Sequence, residues 1–88
     1  MQTETKQTNH TGETRYFVEF TDTYGGEANY SWVDRHNFTA PATISNLALV
    51  RRAKKLLGLS GVRCRVSNYG DVIELRPANS ATVGFIYW

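Results

Sequence analysis

From Arg15 to Thr21 the chain sets Tyr16, Val18 and Phe20 against Arg15, Phe17 and Glu19, the period-2 pattern of a half-buried strand. Ala28 to Asp34 alternates again, with Tyr30 and Trp32 on one face. Between them, Asp22 to Glu27 is rich in turn residues, and Gly25-Gly26 supply the positive φ of a tight hairpin turn. Phe38 to Thr43 reads as the approach to a helix. Pro41 suits a first turn and Thr43 or Ser45 can cap, so the helix is expected to start between Pro41 and Asn46. Gly58 and Gly61, soon after Leu56-Leu57, end it. At 100° per residue Leu49, Val50, Ala53, Leu56 and Leu57 share one side, with Leu47 at its flank. Arg51, Arg52 and Lys55 lie opposite, with Lys54 at the border.

Val62 to Ser67 alternates, directing Val62, Cys64 and Val66 inward and Arg63, Arg65 and Ser67 outward. Asn68 to Asp71 is a turn, Val72 to Arg76 a returning strand stopped by Pro77, and Thr82 to Trp88 a last strand that docks Trp88. The expected fold is α+β, in the chain order β-β-α-β-β-β. Burying these stripes calls for an antiparallel sheet of four to five strands with one helix on one face.

Residues 1–13 are polar after the initiator, cannot repay the entropy of ordering, and read as a disordered tail. Residues 14–88 form a single α+β domain. A domain of roughly 75 residues buries only about 60% of its unfolded surface. Its core must draw on the eleven aromatic residues, Tyr24, Tyr30 and Trp32 among them, with a homodimer as a second route to stability. Cys64 is the single cysteine, so no intrachain disulfide can form and a reducing cytoplasm is expected. No signal segment or run long enough to span a bilayer is visible, which argues against a membrane partner.

Charge changes the picture more than composition does. Arg35 to Gly70 contains no Asp or Glu and seven cations: Arg35, Arg51, Arg52, Lys54, Lys55, Arg63 and Arg65. Residues 1–34 hold six acids against two cations. Such sorting makes a two-poled domain and bears on partners and on-rates rather than on fold.

Catalytic chemistry finds little support. His10, His36 and Cys64 lack metal-ligand spacing, and Cys64 alternates with core valines as a small buried residue would. Asp22, Glu27 and Asp34 read as turn and edge carboxylates rather than an acid–base pair. Gly58-Leu-Ser-Gly61 has the letters of a KH-type backbone clamp but joins a helix to a strand, where that clamp joins two helices. Neither an enzyme nor a cofactor is expected. Two features remain: the cationic helix face, and an open sheet face carrying Arg15, Phe17, Glu19, Arg63 and Arg65, which suits single-stranded nucleic acid, a dimer or a protein partner.

The segment Tyr24-Gly-Gly-Glu-Ala-Asn-Tyr-Ser-Trp32, preceded by Phe20-Thr-Asp-Thr23, resembles one found in short uncharacterised phage and prophage proteins. Proteins of this build are similar in kind to anti-CRISPR and other anti-defence inhibitors. The resemblance implies a non-enzymatic, cytoplasmic inhibitor that occupies a host protein or nucleoprotein complex in a bacterial cell. In that reading Asp22, Tyr24, Glu27 and Tyr30 of the hairpin are the candidate contacts, beside the basic residues Arg51, Arg52, Lys54, Lys55, Arg63 and Arg65. The alternative is a small DNA- or RNA-binding module that uses those six cations directly.

Overall fold

In the computed structural model residues 12–88 are described. The polar tail expected over residues 1–13 lies outside them apart from Gly12 and Glu13, and Glu13 already opens the first strand. The elements are β1 (Glu13–Tyr24), β2 (Glu27–Pro41), α1 (Asn46–Leu56), β3 (Cys64–Asn68), β4 (Val72–Pro77) and β5 (Thr82–Tyr87). The strands form one antiparallel sheet in the spatial order β2-β1-β5-β4-β3, with the helix against one face, so the fold is α+β. That spatial order departs from the order along the chain. The connection through α1 carries the chain from one sheet edge to the other, and β3, β4 and β5 then walk back until β5 pairs with β1.

Gly25 and Gly26, at φ 61° and 88°, close a two-residue turn between the paired Tyr24 and Glu27. The hairpin is longer than its alternation suggested. Phe38 to Pro41, read as an approach to the helix, instead completes β2, with Phe38 paired to Tyr16 and Ala40 to Thr14. Phe38 and Ala40 are buried, and Phe38 stacks on Tyr16 at 5.7 Å. Two apolar residues at period 2 carry this strand end because the helix folds back over them.

Ser45 caps α1, its hydroxyl accepting from the Ala48 amide at 3.1 Å. At the other end the Gly58 amide donates to the Lys55 carbonyl and the Leu59 amide to the Lys54 carbonyl, the paired bonds of a Schellman stop. Leu49 and Ala53 are buried, and Val50 and Leu57 pack beside them. Leu56, expected inward, is 39% exposed. Tyr16, Val18, Ile73, Leu75 and Ile86 complete the core from the sheet. Gly84 lies where the helix end comes closest, since a Cβ there would stand 3.3 Å from Leu57 and 3.5 Å from Phe20. Trp88 docks against Tyr16 at 5.6 Å.

The helix leaves edge strand β3 uncovered. Val66 pairs with the buried Leu75 and so shares its face, yet it is 47% exposed, and Val62 and Cys64 are only half-buried. The inward assignment of these three is correct in direction for Val66 but not in depth.

Candidate functional site

The distal end of the hairpin is the most exposed aromatic region. Between the pairs Thr21–Val33 and Thr23–Ala28 the register slips, so that residues 29–32 stand opposite Asp22 alone. Side chains replace the interrupted ladder. The fully buried Thr21 hydroxyl donates to the Trp32 carbonyl at 2.7 Å and accepts from the Tyr30 amide at 3.0 Å. Asp22 accepts from the Asn29 side chain at 2.9 Å and from the Ser31 amide at 3.0 Å. The bonds from Asn29 and Ser31 hold its carboxyl down at about 2. Tyr30 sits at φ 58°, a left-handed conformation costing roughly 1–2 kcal/mol, which these contacts offset.

This bulge redirects the aromatics. Tyr30 and Trp32, expected on one face and in the core, are 49% and 44% exposed, and Tyr24 is 80% exposed. Trp32 meets Phe20 edge-on at 5.6 Å, whereas the Tyr30 hydroxyl donates to Glu19 at 3.3 Å. Glu19 and Phe20 point to opposite sides of β1, so the two rings splay to opposite faces. Asp34 pairs with His36 at 2.9 Å. Asp22 and Asp34 therefore serve separate local contacts, and Glu27 stands exposed beside the turn.

The open face of the sheet is organised around two carboxylates. The register places Arg35, Glu19, Phe85, Glu74 and Ser67 in one row across all five strands. Glu19 and Glu74 flank Phe85 about 10 Å apart. Glu19 accepts from Tyr87 at 3.0 Å, Tyr30 at 3.3 Å and Arg35 at 3.3 Å. Glu74 accepts from Tyr69 at 3.3 Å and from Arg76, which also reaches across β5 to the Gly26 carbonyl at 2.9 Å. Burial and the adjacent Glu19 carboxylate raise the hydroxyl pKa of Tyr30 and Tyr87 above the ordinary tyrosine value. In the next row Phe17 stacks on Tyr87 at 5.4 Å, half-buried rather than presented to solvent. This face is engaged with itself.

The six basic residues do not form one surface. Arg51, Lys54 and Lys55 line a groove of about 350 Å³ together with Ser60 and Gly61 of the loop after the helix. Arg52 turns away, lying 4.4 Å over the Phe38 ring and donating to the Thr39 carbonyl at 3.3 Å. Arg65 is paired with Arg76 and belongs to the opposite, open face, and Arg63 precedes β3 with its carbonyl taken by the Ala78 amide. Sequence reasoning placed these charges on elements but could not decide their sides.

Cys64 is half-buried, its thiol 3.7 Å from the Val62 carbonyl. Among the described residues no three His, Cys, Asp or Glu side chains stand together as metal ligands would, and no helix is long and apolar enough to cross a membrane. Trp32 is a surface residue that the alternation pattern placed in the core, and the pattern set Glu19 on the open face without finding its partners Tyr30, Tyr87 and Arg35. The available signal was the gathering of Thr21, Asp22, Asn29 and Ser31, side chains able to replace a backbone ladder. Comparison of the chain with protein-family models, curated proteins and solved structures gives no match.

Proposed function

We propose that this chain is a non-enzymatic binding protein that engages a partner protein through the distal end of the β1–β2 hairpin. The observation that carries the reading is three exposed aromatic residues at the hairpin end, Tyr24 beside the turn and Tyr30 and Trp32 on a braced bulge. Large aromatics that lose little freedom on binding are the usual energetic centres of protein interfaces. Projecting from both faces of one narrow hairpin end, they suit a partner that closes around it. Glu27 and Asp34 beside them give the end a negative rim suited to a basic patch on the partner.

The same residues, Phe20 to Trp32, carry the resemblance to short phage proteins, which makes a bacterial defence complex the class of partner proposed. Occupation of its surface is then the mechanism of inhibition. The splitting of the basic residues favours this reading over direct nucleic-acid binding, because a phosphate footprint gains affinity only from cations that reach one backbone together.

The test is a tagged pulldown from bacterial lysate after nuclease treatment, with wild type, a Tyr24→Ala/Trp32→Ala variant and an Arg63→Gln/Arg65→Gln variant. A protein recovered by wild type and by the arginine variant, but lost with the aromatic variant, supports the hairpin as the interface. Recovery of no protein, or recovery that ignores the aromatic variant, overturns it.

A further inference from the structure

The groove between α1 and the following loop is a second, independent feature. Arg51, Lys54 and Lys55 occupy positions i, i+3 and i+4 and open onto the same space. The ion pairs among the described residues belong to Arg35, His36 and Arg76, and no carboxylate lines the groove. Placing like charges together on a helix is destabilising by a few tenths of a kcal/mol per pair. Lysines at a helix C-terminus ordinarily serve its last carbonyls and the negative end of its dipole, and the dipole accounts for Lys54 and Lys55 but not for Arg51. Here the Gly58 and Leu59 amides already take the Lys55 and Lys54 carbonyls, and Arg51 lies a turn earlier.

The loop adds donors. Leu59 and Val62 close a turn through the Val62 amide and Leu59 carbonyl at 2.9 Å. Among the described residues the amides of Ser60 and Gly61, inside that turn, have no backbone acceptor, and both residues line the groove. Three cations without an ion-pair partner among the described residues, beside a turn whose two central amides have no backbone acceptor, are the kinds of donor that a tetrahedral oxyanion takes.

We propose that this groove binds a compact phosphate-bearing small ligand of one or two phosphate groups. Arg51 and Lys54 supply charge from the helix, Lys55 closes the outer side, and the Ser60–Gly61 turn orients the anion by hydrogen bonds. The size follows from the span: positions 51 to 55 cover about 6 Å of helix, enough for one or two phosphates rather than a run of them. Arg52 is committed to Phe38 and Thr39, and Arg65 lies on the opposite sheet face, so neither extends the site along a nucleic-acid backbone.

The test is a titration of the full chain with pyrophosphate and, separately, inorganic phosphate at constant ionic strength, followed by amide NMR. Saturable shifts centred on Ser60 and Gly61 are expected, weakened at least tenfold in Arg51→Gln/Lys54→Gln and unchanged in Arg63→Gln/Arg65→Gln. All these side chains are on the surface or partly exposed, and retained amide dispersion shows that each variant folds. Absence of saturation, or equal shifts with chloride alone, overturns the site. A single-stranded DNA probe that binds more tightly than pyrophosphate and weakens equally in both double variants overturns the compact-ligand assignment in favour of nucleic acid. The pulldown on the hairpin variants is unaffected by any of these outcomes.

Discussion

Beneath the helix, Val18, Ile73, Leu75 and Ile86 are shut away from water by one another and by Leu49 and Ala53. On the other side of the same strands Glu19 and Glu74 are partly enclosed, at 16% and 15% side-chain exposure, and are covered by tyrosines and arginines instead. One face is held by area removed from water, which is non-directional and tolerant of surface chemistry. The other is held by hydrogen bonds to charge, which fix geometry but lose heavily when a partner is missing. The difference explains why the bulged hairpin end holds a defined shape outside the apolar core: its braces, Thr21, Asp22 and Glu19, act through directional hydrogen bonds.

The comparison breaks most visibly in the core. Leu75→Ala should cost about 2–5 kcal/mol in chemical denaturation, through lost burial and the cavity left. Glu19→Gln should cost less, about 1–3 kcal/mol, since three donors lose a charged acceptor while an oxygen remains. If it costs more than Leu75→Ala, the open face and not the helix face dominates stability. In addition, amide shifts in Glu19→Gln should spread to Tyr30 and Tyr87 but spare Leu49 and Ala53.

The hydrogen-bonded groups, unlike the apolar core, should also show in the pH dependence of stability. Asp22 titrates at about 2 in the fold against 3.8 ordinarily, so its stabilising contribution is full above pH 4 and is lost as pH falls from there towards 2. Asp22→Asn should flatten that part of the acid limb of a stability-against-pH curve. The hydroxyls of Tyr30 and Tyr87 ionise above 10 in the fold, so the unfolded chain sheds its protons first and stability falls as pH rises past 10. Tyr87→Phe should blunt that alkaline decline; an unchanged curve would separate Tyr87 from the Glu19 network. Smallest of all for stability is Tyr24→Ala, expected within about 0.5 kcal/mol of wild type because the ring is 80% exposed. Its proposed consequence is confined to partner binding.

The hairpin turn, the helix with its Gly58 stop, and the strand alternations were legible because each depends on neighbours a few residues apart; the cap was narrowed only to Thr43 or Ser45, and the fold uses Ser45. Phe38 and Ala40 were not legible as strand, because Pro41 and the capping residues behind them carry an equally local helix-start signal. Trp32 was misplaced into the core for a different reason: strict alternation assumes an unbroken register, and the slip between Thr21 and Thr23 depends on side chains bonding across the hairpin. Val66 carries the pattern of a buried residue, and only the reach of the helix decides that the edge strand stays wet.

By itself the sequence determined the elements, the amphipathic helix and the sorting of charge into an acidic hairpin and a basic middle, because periodicity and composition act along the chain. Tertiary structure alone decided that β5 inserts beside β1, that Glu19 meets Tyr30, Tyr87 and Arg35, and that the basic residues divide between a helix groove, an aromatic contact and the opposite sheet face. Those outcomes turn on which residues, tens of positions apart, are brought to the same side of a sheet, and no local pattern encodes that choice.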